Sequence, residues 1–370
     1  MKYLSEYRNR DIITKMVNLI AKTATKQHTI MEVCGGQTHA ILKYGLDKLL
    51  PDSVQLLHGP GCPVCVTPIE VIDQAIQLAL QENVIFCSFG DMLRVPGSKE
   101  NLLMARAAGA NIKLVYSPLD AVKIAVSEPN KEVVFFAIGF ETTAPANAMA
   151  IEMAYKLKIK NFSILIAQFL VPPAIDAILS ADGNMVDAFL AAGHVCAVMG
   201  FAEYEPICNK YKVPIVVTGF EPIDILQGIY ASVNQLENGN FAIENQYTRI
   251  VNRDGNQKAK ELMNEYFCIA TKQWRGIGAI PNSGLVLREK YRNFDAQQRF
   301  DLNTTNRNHE KIAADCIAGL ILQGIKKPTD CNAFGVSCFP DKPLGAPMVS
   351  AEGVCSAYYN YRHELIEERE

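Results

Sequence analysis

The sequence predicts an α/β fold of two domains with mainly parallel sheets, followed by a smaller, irregular C-terminal domain. Three observations carry this expectation. Short β-rich runs alternate with longer amphipathic stretches between about residues 28 and 236, the pattern of right-handed βαβ units. Polar, glycine-bearing loops follow these runs, where a parallel sheet binds its ligands. Beyond residue 236 the periodicity fades, and Gly, Pro and Asn dominate 324–353.

Composition narrows the class. A chain of 370 residues with 49% hydrophobic residues can form two or three domains and a sizeable core. Net charge is −3 and no basic run stands out, which argues against nucleic acid as a partner. The first ten residues are polar and charged, unlike a signal peptide. The longest apolar run, near 163–174, is too short to span a bilayer and is broken by Pro172-Pro173. A cytoplasmic protein without a membrane partner is expected. Eleven cysteines in such a chain point to reduced thiols in metal or redox use rather than a disulfide framework.

In chain order, residues 1–27 form a helical lead-in, with Ile12, Ile13, Met16, Val17 and Ile20 at helical spacing. Strands are expected at 29–33, 54–58, 84–88, 112–116, 133–138, 163–167, 195–199 and 214–218. Helices are expected at 69–80, 102–108, 144–157 and 185–192, and again at 310–325. Two sheets of four suit this length, with a break near 127–131. The domains would then be 28–127 and 128–236, with 1–27 and 237–370 forming the third unit.

The loops carry the chemistry. Cys34-Gly35-Gly36-Gln37-Thr38-His39 follows the first strand, and its two glycines suggest a tight turn that brings Cys34 and His39 together. Such a pair suits a nucleophile with its base, or two ligands at a metal. Gly59-Pro60-Gly61-Cys62-Pro63-Val64-Cys65 follows the second strand. Thr67 as N-cap, Pro68 at the first helical position and Glu70 as capping-box partner would start a helix at once. That helix end would favour the thiolate of Cys62 or Cys65, for redox use or as part of a metal site. A stretch from Phe89 to Gly97 with Asp91 and Arg94, and two Gly-Phe-Glu loops with Glu141 and Glu221, follow other strands. If the halves pack edge to edge, all five loops face one crevice, and Cys34 lies close to the dithiol.

The tail reads Cys316-x14-Cys331-x6-Cys338-x16-Cys355. Thiols in a Gly/Pro-rich segment suit an iron–sulfur cluster better than zinc, so this unit reads as a C-terminal iron–sulfur cluster domain. Cys87, Cys196, Cys208 and Cys268 lie in apolar or ordinary helical runs and read as small buried hydrophobes. His58 is either functional or simply the end of its strand, and His28, His194, His309 and His363 have no such context.

Taken together, these motifs resemble the HypD family of [NiFe]-hydrogenase maturation proteins over essentially the whole chain. Gln37 departs from the family's C-G-G-H-T-H pattern. The resemblance implies a scaffold on which the Fe(CN)2CO group is assembled before transfer to the hydrogenase large subunit. It implies a HypC-like small partner and a HypE-like cyanide donor. It makes Cys34 the ligand of that iron with His39 beside it, and Cys62 and Cys65 a redox-active dithiol. It gives Cys316, Cys331, Cys338 and Cys355 to a [4Fe-4S] cluster, in a domain built from both chain ends. The rival expectation is an iron–sulfur-linked thiol–disulfide oxidoreductase, which needs neither Cys34 nor His39.

Overall fold

The computed structural model describes residues 6–302 and 316–362. The strands are β1 (His28–Glu32), β2 (Val54–His58), β3 (Val84–Ser88), β4 (Ile112–Leu114), β5 (Glu132–Gly139), β6 (Phe162–Phe169), β7 (Ala188–Ala192), β8 (Ile215–Thr218), β9 (Ile243–Asn245), β10 (Phe267–Trp274) and β11 (Gly278–Leu287). They form two sheets, in the orders β2-β1-β7-β8-β9 and β10-β11-β6-β5-β3-β4. The first is parallel throughout. The second is parallel from β6 to β4 and ends in the antiparallel β10–β11 hairpin.

The sheets do not divide at 127–131, so neither corresponds to 28–127 or 128–236. The chain leaves the first sheet after β2, builds β3 to β6 in the second, returns for β7 to β9, and crosses again for the hairpin. Strands such as β5 and β6 are buried along almost their whole length, so both of their edges and both of their faces must be covered. Apolar runs with those needs pair wherever partners exist, whatever their separation in sequence. The largest core cluster therefore joins the sheets: Met31 and Leu57 of the first and Phe86 and Phe136 of the second belong to it, together with Cys34, Cys62 and Cys65.

One stretch exchanges its elements. The residues expected to form a helix at 185–192 contain β7, and the strand expected at 195–199 lies in the helix Gly193–Met199. The run Ala188-Phe189-Leu190-Ala191-Ala192 is wholly buried in mid-sheet, and five apolar residues do not distinguish a buried strand from a helix segment by periodicity. The lead-in helix is Arg10–Thr23, capped by the Asn9 side chain. It packs against Pro222–Glu237 beside the first sheet. Of the helix expected at 310–325, Ala318–Leu322 is seen, and 303–315 lie outside the described residues along with His309 and His363. No helix among the described residues is long and apolar enough to cross a membrane.

Candidate functional site

Parallel pairing sets the carboxyl ends of β2, β1, β7 and β8 side by side, so their loops form one row: the Cys62 loop, Cys34, His194 and Phe220. Cys34 is in the middle. Its loop is fastened by Glu32, the last residue of β1, which is fully buried. The Glu32 carboxylate accepts hydrogen bonds from the Cys34 backbone N–H (2.7 Å) and the Thr38 hydroxyl, and meets His58 Nδ1 at 2.7 Å. His58 thus ends its strand and also supplies the partner a buried carboxylate requires. Sequence reasoning passed over Glu32, although an acidic residue in an apolar strand run was a signal for a paired buried charge.

Gly35 and Gly36 do not form a turn, because they open the helix Gly35–Tyr44. Glycine is needed here for close approach. A Cβ on Gly35 would lie 2.5 Å from Glu352 Cβ and from its carbonyl oxygen. Across the loop, a Cβ on Gly61 would lie 2.2 Å from Cys34 N. The Gly35 N–H donates to Gly61 O at 2.9 Å, so the Cys34 and Cys62 loops touch backbone to backbone. Gln37 is buried and donates to Thr218 Oγ1 (2.6 Å) and Ala191 O (3.2 Å), tying this helix to β7 and β8.

Cys34 is 1% exposed. Burial pushes its thiol up, and the charges of Glu32 and Glu352 add to this. The Gln37 and Gly36 N–H groups at the helix start oppose the rise without cancelling it. Its side-chain neighbour is His194: Sγ lies 3.7 Å from Nδ1. Burial lowers the His194 imidazole to about 4, so it is neutral near pH 7, and its ring stacks on Phe220 at 5.2 Å. The expected partner, His39, instead has Nε2 3.3 Å from Tyr361 Oη. His194 fell between the helix expected at 185–192 and the strand expected at 195–199, where no motif gave it a context. With β7 ending at Ala192, Gly193-His194 becomes another loop after a strand.

Cys62 and Cys65 are joined by a disulfide, with Cα atoms 5.2 Å apart, and both are buried. Cys62 caps the short helix Pro63–Val66, its Sγ accepting from the Cys65 N–H at 3.2 Å. Thr67 does not cap the following helix, Ile69–Ala79, whose N-cap is Pro68. The Thr67 hydroxyl donates back to Pro63 O at 2.8 Å and closes the Cys62 turn.

The other loop residues divide. Asp91, exposed on a 3-10 turn, lies close enough to Glu352 to raise that carboxyl after burial does so, while His39 opposes the rise. Arg94 donates to Val349 O at 3.2 Å, so the second sheet's loop reaches the first through the tail. Glu221 is the N-cap of Pro222–Glu237 and pairs with Arg8 at 2.8 Å, and its neighbour Phe220 packs over Gly36 and stacks on His194. Glu141 is 1% exposed and sits among Cys196, Tyr204 and Glu203 rather than beside Cys34. It accepts from the Val171 N–H at 2.8 Å through Oε1, and its Oε2 has no hydrogen-bond partner among the described residues. Burial raises it to about 8.

The tail thiols converge. Cys316, Cys331, Cys338 and Cys355 line one mostly apolar cavity with Phe334, Pro347 and Met348. Among the described residues no three His, Cys, Asp or Glu side chains close on a single metal ion. Four thiols around a cavity rather than a point suit a multi-iron group, and thiolate is the donor such groups take. The disulfide helix Pro63–Val66 packs on Ala346–Met348, so it shares a wall with this cavity.

These features define a class: an α/β protein of two interleaved sheets with its thiol-bearing loops gathered at one sheet edge. The model of the HypD family, described as "Hydrogenase formation hypA family", matches residues 11–362. A hydrogenase expression/formation protein HupD of Azotobacter chroococcum mcd 1 is 47% identical over 370 residues, covering 98% of this chain and 97% of the relative. A hydrogenase maturation factor HypD of Escherichia coli K12 is 41% identical over 372 residues, covering 98% and 99%. The chain belongs to the HypD family of hydrogenase maturation factors.

Proposed function

We propose that the chain is the scaffold on which the Fe(CN)2CO group of [NiFe]-hydrogenase is assembled, with Cys34 as the protein's ligand to that iron. The observation that carries this is the placement of Cys34 between the disulfide loop and His194, with its loop fastened by Glu32. Thiolate suits a soft iron carrying cyanide and CO, and iron binding releases the thiol proton that burial otherwise retains. Neutral His194, its Nδ1 3.7 Å from the sulfur, stands where it can offer a second ligand to the iron. A HypC-like small protein shares the iron and a HypE-like protein delivers cyanide.

Cys316, Cys331, Cys338 and Cys355 are the set that would hold a [4Fe-4S] cluster, which supplies single electrons when bound. Reduction of the Cys62–Cys65 disulfide takes two electrons and two protons, the electrons coming ultimately from a low-potential one-electron donor protein. Burial of both sulfurs weighs against a protein disulfide as the substrate, and so against a free-standing thiol–disulfide oxidoreductase.

The deciding experiment is infrared spectroscopy on the chain copurified with its HypC-like partner. Cyanide and carbonyl stretches are expected in the wild type and absent in Cys34→Ala. Their persistence in that variant overturns the assignment of Cys34. In parallel, Cys331→Ser is expected to lose the visible absorbance of a reconstituted cluster while the chain stays folded by circular dichroism.

A further inference from the structure

The row of loops at the carboxyl end of the first sheet continues past Phe220. β9 pairs in parallel with β8, so the residues after Asn245 run beside the end of β8. The Gln246 N–H donates to Val217 O at 3.0 Å and holds this segment in register. Tyr247 then reaches back along the row. A Cβ on Gly193 would lie 2.7 Å from its Cδ1, and one on Gly219 would lie 2.7 Å from its Cε2. The ring therefore rests on the bare backbone of two loops at once, the one that carries His194 and the one that carries Phe220. It also meets the Phe220 ring edge-on, with centroids 6.4 Å apart.

A cation clamps this ring in turn. The Arg249 guanidinium stands 4.3 Å from the Tyr247 ring centroid and 4.2 Å from that of Tyr7. It donates through both terminal nitrogens to the Asp224 carboxylate, at 2.8 and 2.6 Å. Asp224 is fully buried in the first turn of Pro222–Glu237, so the clamp is anchored to the helix that starts at the Phe220 loop.

His194 needs such a support. A ligating imidazole is usually oriented by a hydrogen bond from its second ring nitrogen. Among the described residues His194 Nε2 meets no such partner, and the ring is set by its stack on Phe220 and by its loop. Glycine at 193 leaves that loop free to move unless something packs on it.

We propose that Tyr247 is a positioning residue for the Cys34 site: its ring, clamped by Arg249, fixes Gly193 and Phe220 and so sets the His194 imidazole beside the Cys34 sulfur as the second ligand to iron. This rests on the reading that Cys34 holds the Fe(CN)2CO iron. Removing the ring leaves a gap against two glycines, which lets both loops relax and draws the second ligand away.

The first test needs no iron. The full chain, carrying isotope-labelled histidine, is compared by nuclear magnetic resonance as wild type, Tyr247→Phe and Tyr247→Ala, with His194→Ala to assign the signal. In the wild type the His194 signal carries the ring-current shift of the stacked Phe220. Tyr247→Ala is expected to lose that shift and Tyr247→Phe to keep it. A shift kept in Tyr247→Ala, or lost equally in both, overturns the proposal. Should Tyr247→Ala not fold, Tyr247→Leu, which fills the space without a flat ring, takes its place with the same outcomes. The second test is infrared spectroscopy of the chain copurified with its HypC-like partner. His194→Ala and Tyr247→Ala are each expected to displace the cyanide and carbonyl stretches, and the double variant to match His194→Ala alone. An undisplaced spectrum in Tyr247→Ala overturns the proposal, as do displacements that add independently. Stretches missing from the wild type fail the parent reading of Cys34, and the resonance result still decides whether Tyr247 places His194.

Discussion

Glu32 and Glu141 are almost equally hidden from solvent, and their neighbours give them different roles. Glu32 is met by an N–H, a hydroxyl and an imidazole, so its charge is answered and the loop of Cys34 is pinned to it. Removing one partner of such a group leaves the other buried and unpaired. Glu32→Ala is expected to destabilise the fold by about 3 kcal/mol in urea unfolding and, on the proposed role of Cys34, to weaken iron retention there. Glu141 is met by a single N–H, and burial holds it protonated up to about pH 8. Its folded pKa exceeds the unfolded value, so between about 4.5 and 8 the folded chain binds more protons than the unfolded one. The stabilisation it gives is complete below that window and is lost as pH rises through it, by at most about 5 kcal/mol. Glu141→Gln, which mimics the protonated acid, is expected to flatten stability against pH in this window, measured by urea denaturation at several pH values. A slope equal to the wild type's would place the titration elsewhere.

At the scale of elements, the loops are specified by steric detail that their glycines only hint at. Gly61 and Gly90 both sit in loops after strands. A Cβ at Gly61 would run into Cys34 backbone atoms, whereas one at Gly90 meets nothing within 4 Å. Gly61→Ala is therefore expected to destabilise the fold by about 3 kcal/mol, the upper part of the usual overpacking range, because backbone cannot swing aside. Gly90→Ala should be neutral, and matched thermal unfolding of the two variants checks the contrast. The exchange of helix and strand across 185–199 belongs to the same scale. Local pattern sees Val195 and Val198 as strand formers, but the middle position between β1 and β8 needs a run small enough to pack on both faces, and Ala188-Phe189-Leu190-Ala191-Ala192 provides it. That shift brought His194 to Cys34 and left His39 with Tyr361.

At the scale of the whole molecule, the chain crosses between its sheets three times, and the first crossing carries the disulfide helix. Cys62 and Cys65 consequently sit in the core shared by both sheets, against the wall of the tail cavity, instead of on a surface loop. Interleaving also forbids independent halves. A fragment ending at residue 127 would hold β1 and β2 without β7, and β3 and β4 without β5. Fragments 1–127 and 128–370 expressed separately are expected to lack cooperative unfolding by circular dichroism, and a cooperative transition in either would contradict this topology.

The sequence by itself determined the α/β class, most strand positions, the loops that carry cysteine, and membership of a family by their motifs, because each is written in a few adjacent residues: a hydrophobic period, a glycine beside a thiol, a spacing. Only the tertiary structure decided which strands are neighbours, that His194 and Glu32 stand at Cys34, and that Glu221 answers Arg8. Those pairings join residues far apart in the chain. They follow from covering every buried face and answering every buried charge at once, a condition on the packed whole that no local stretch records.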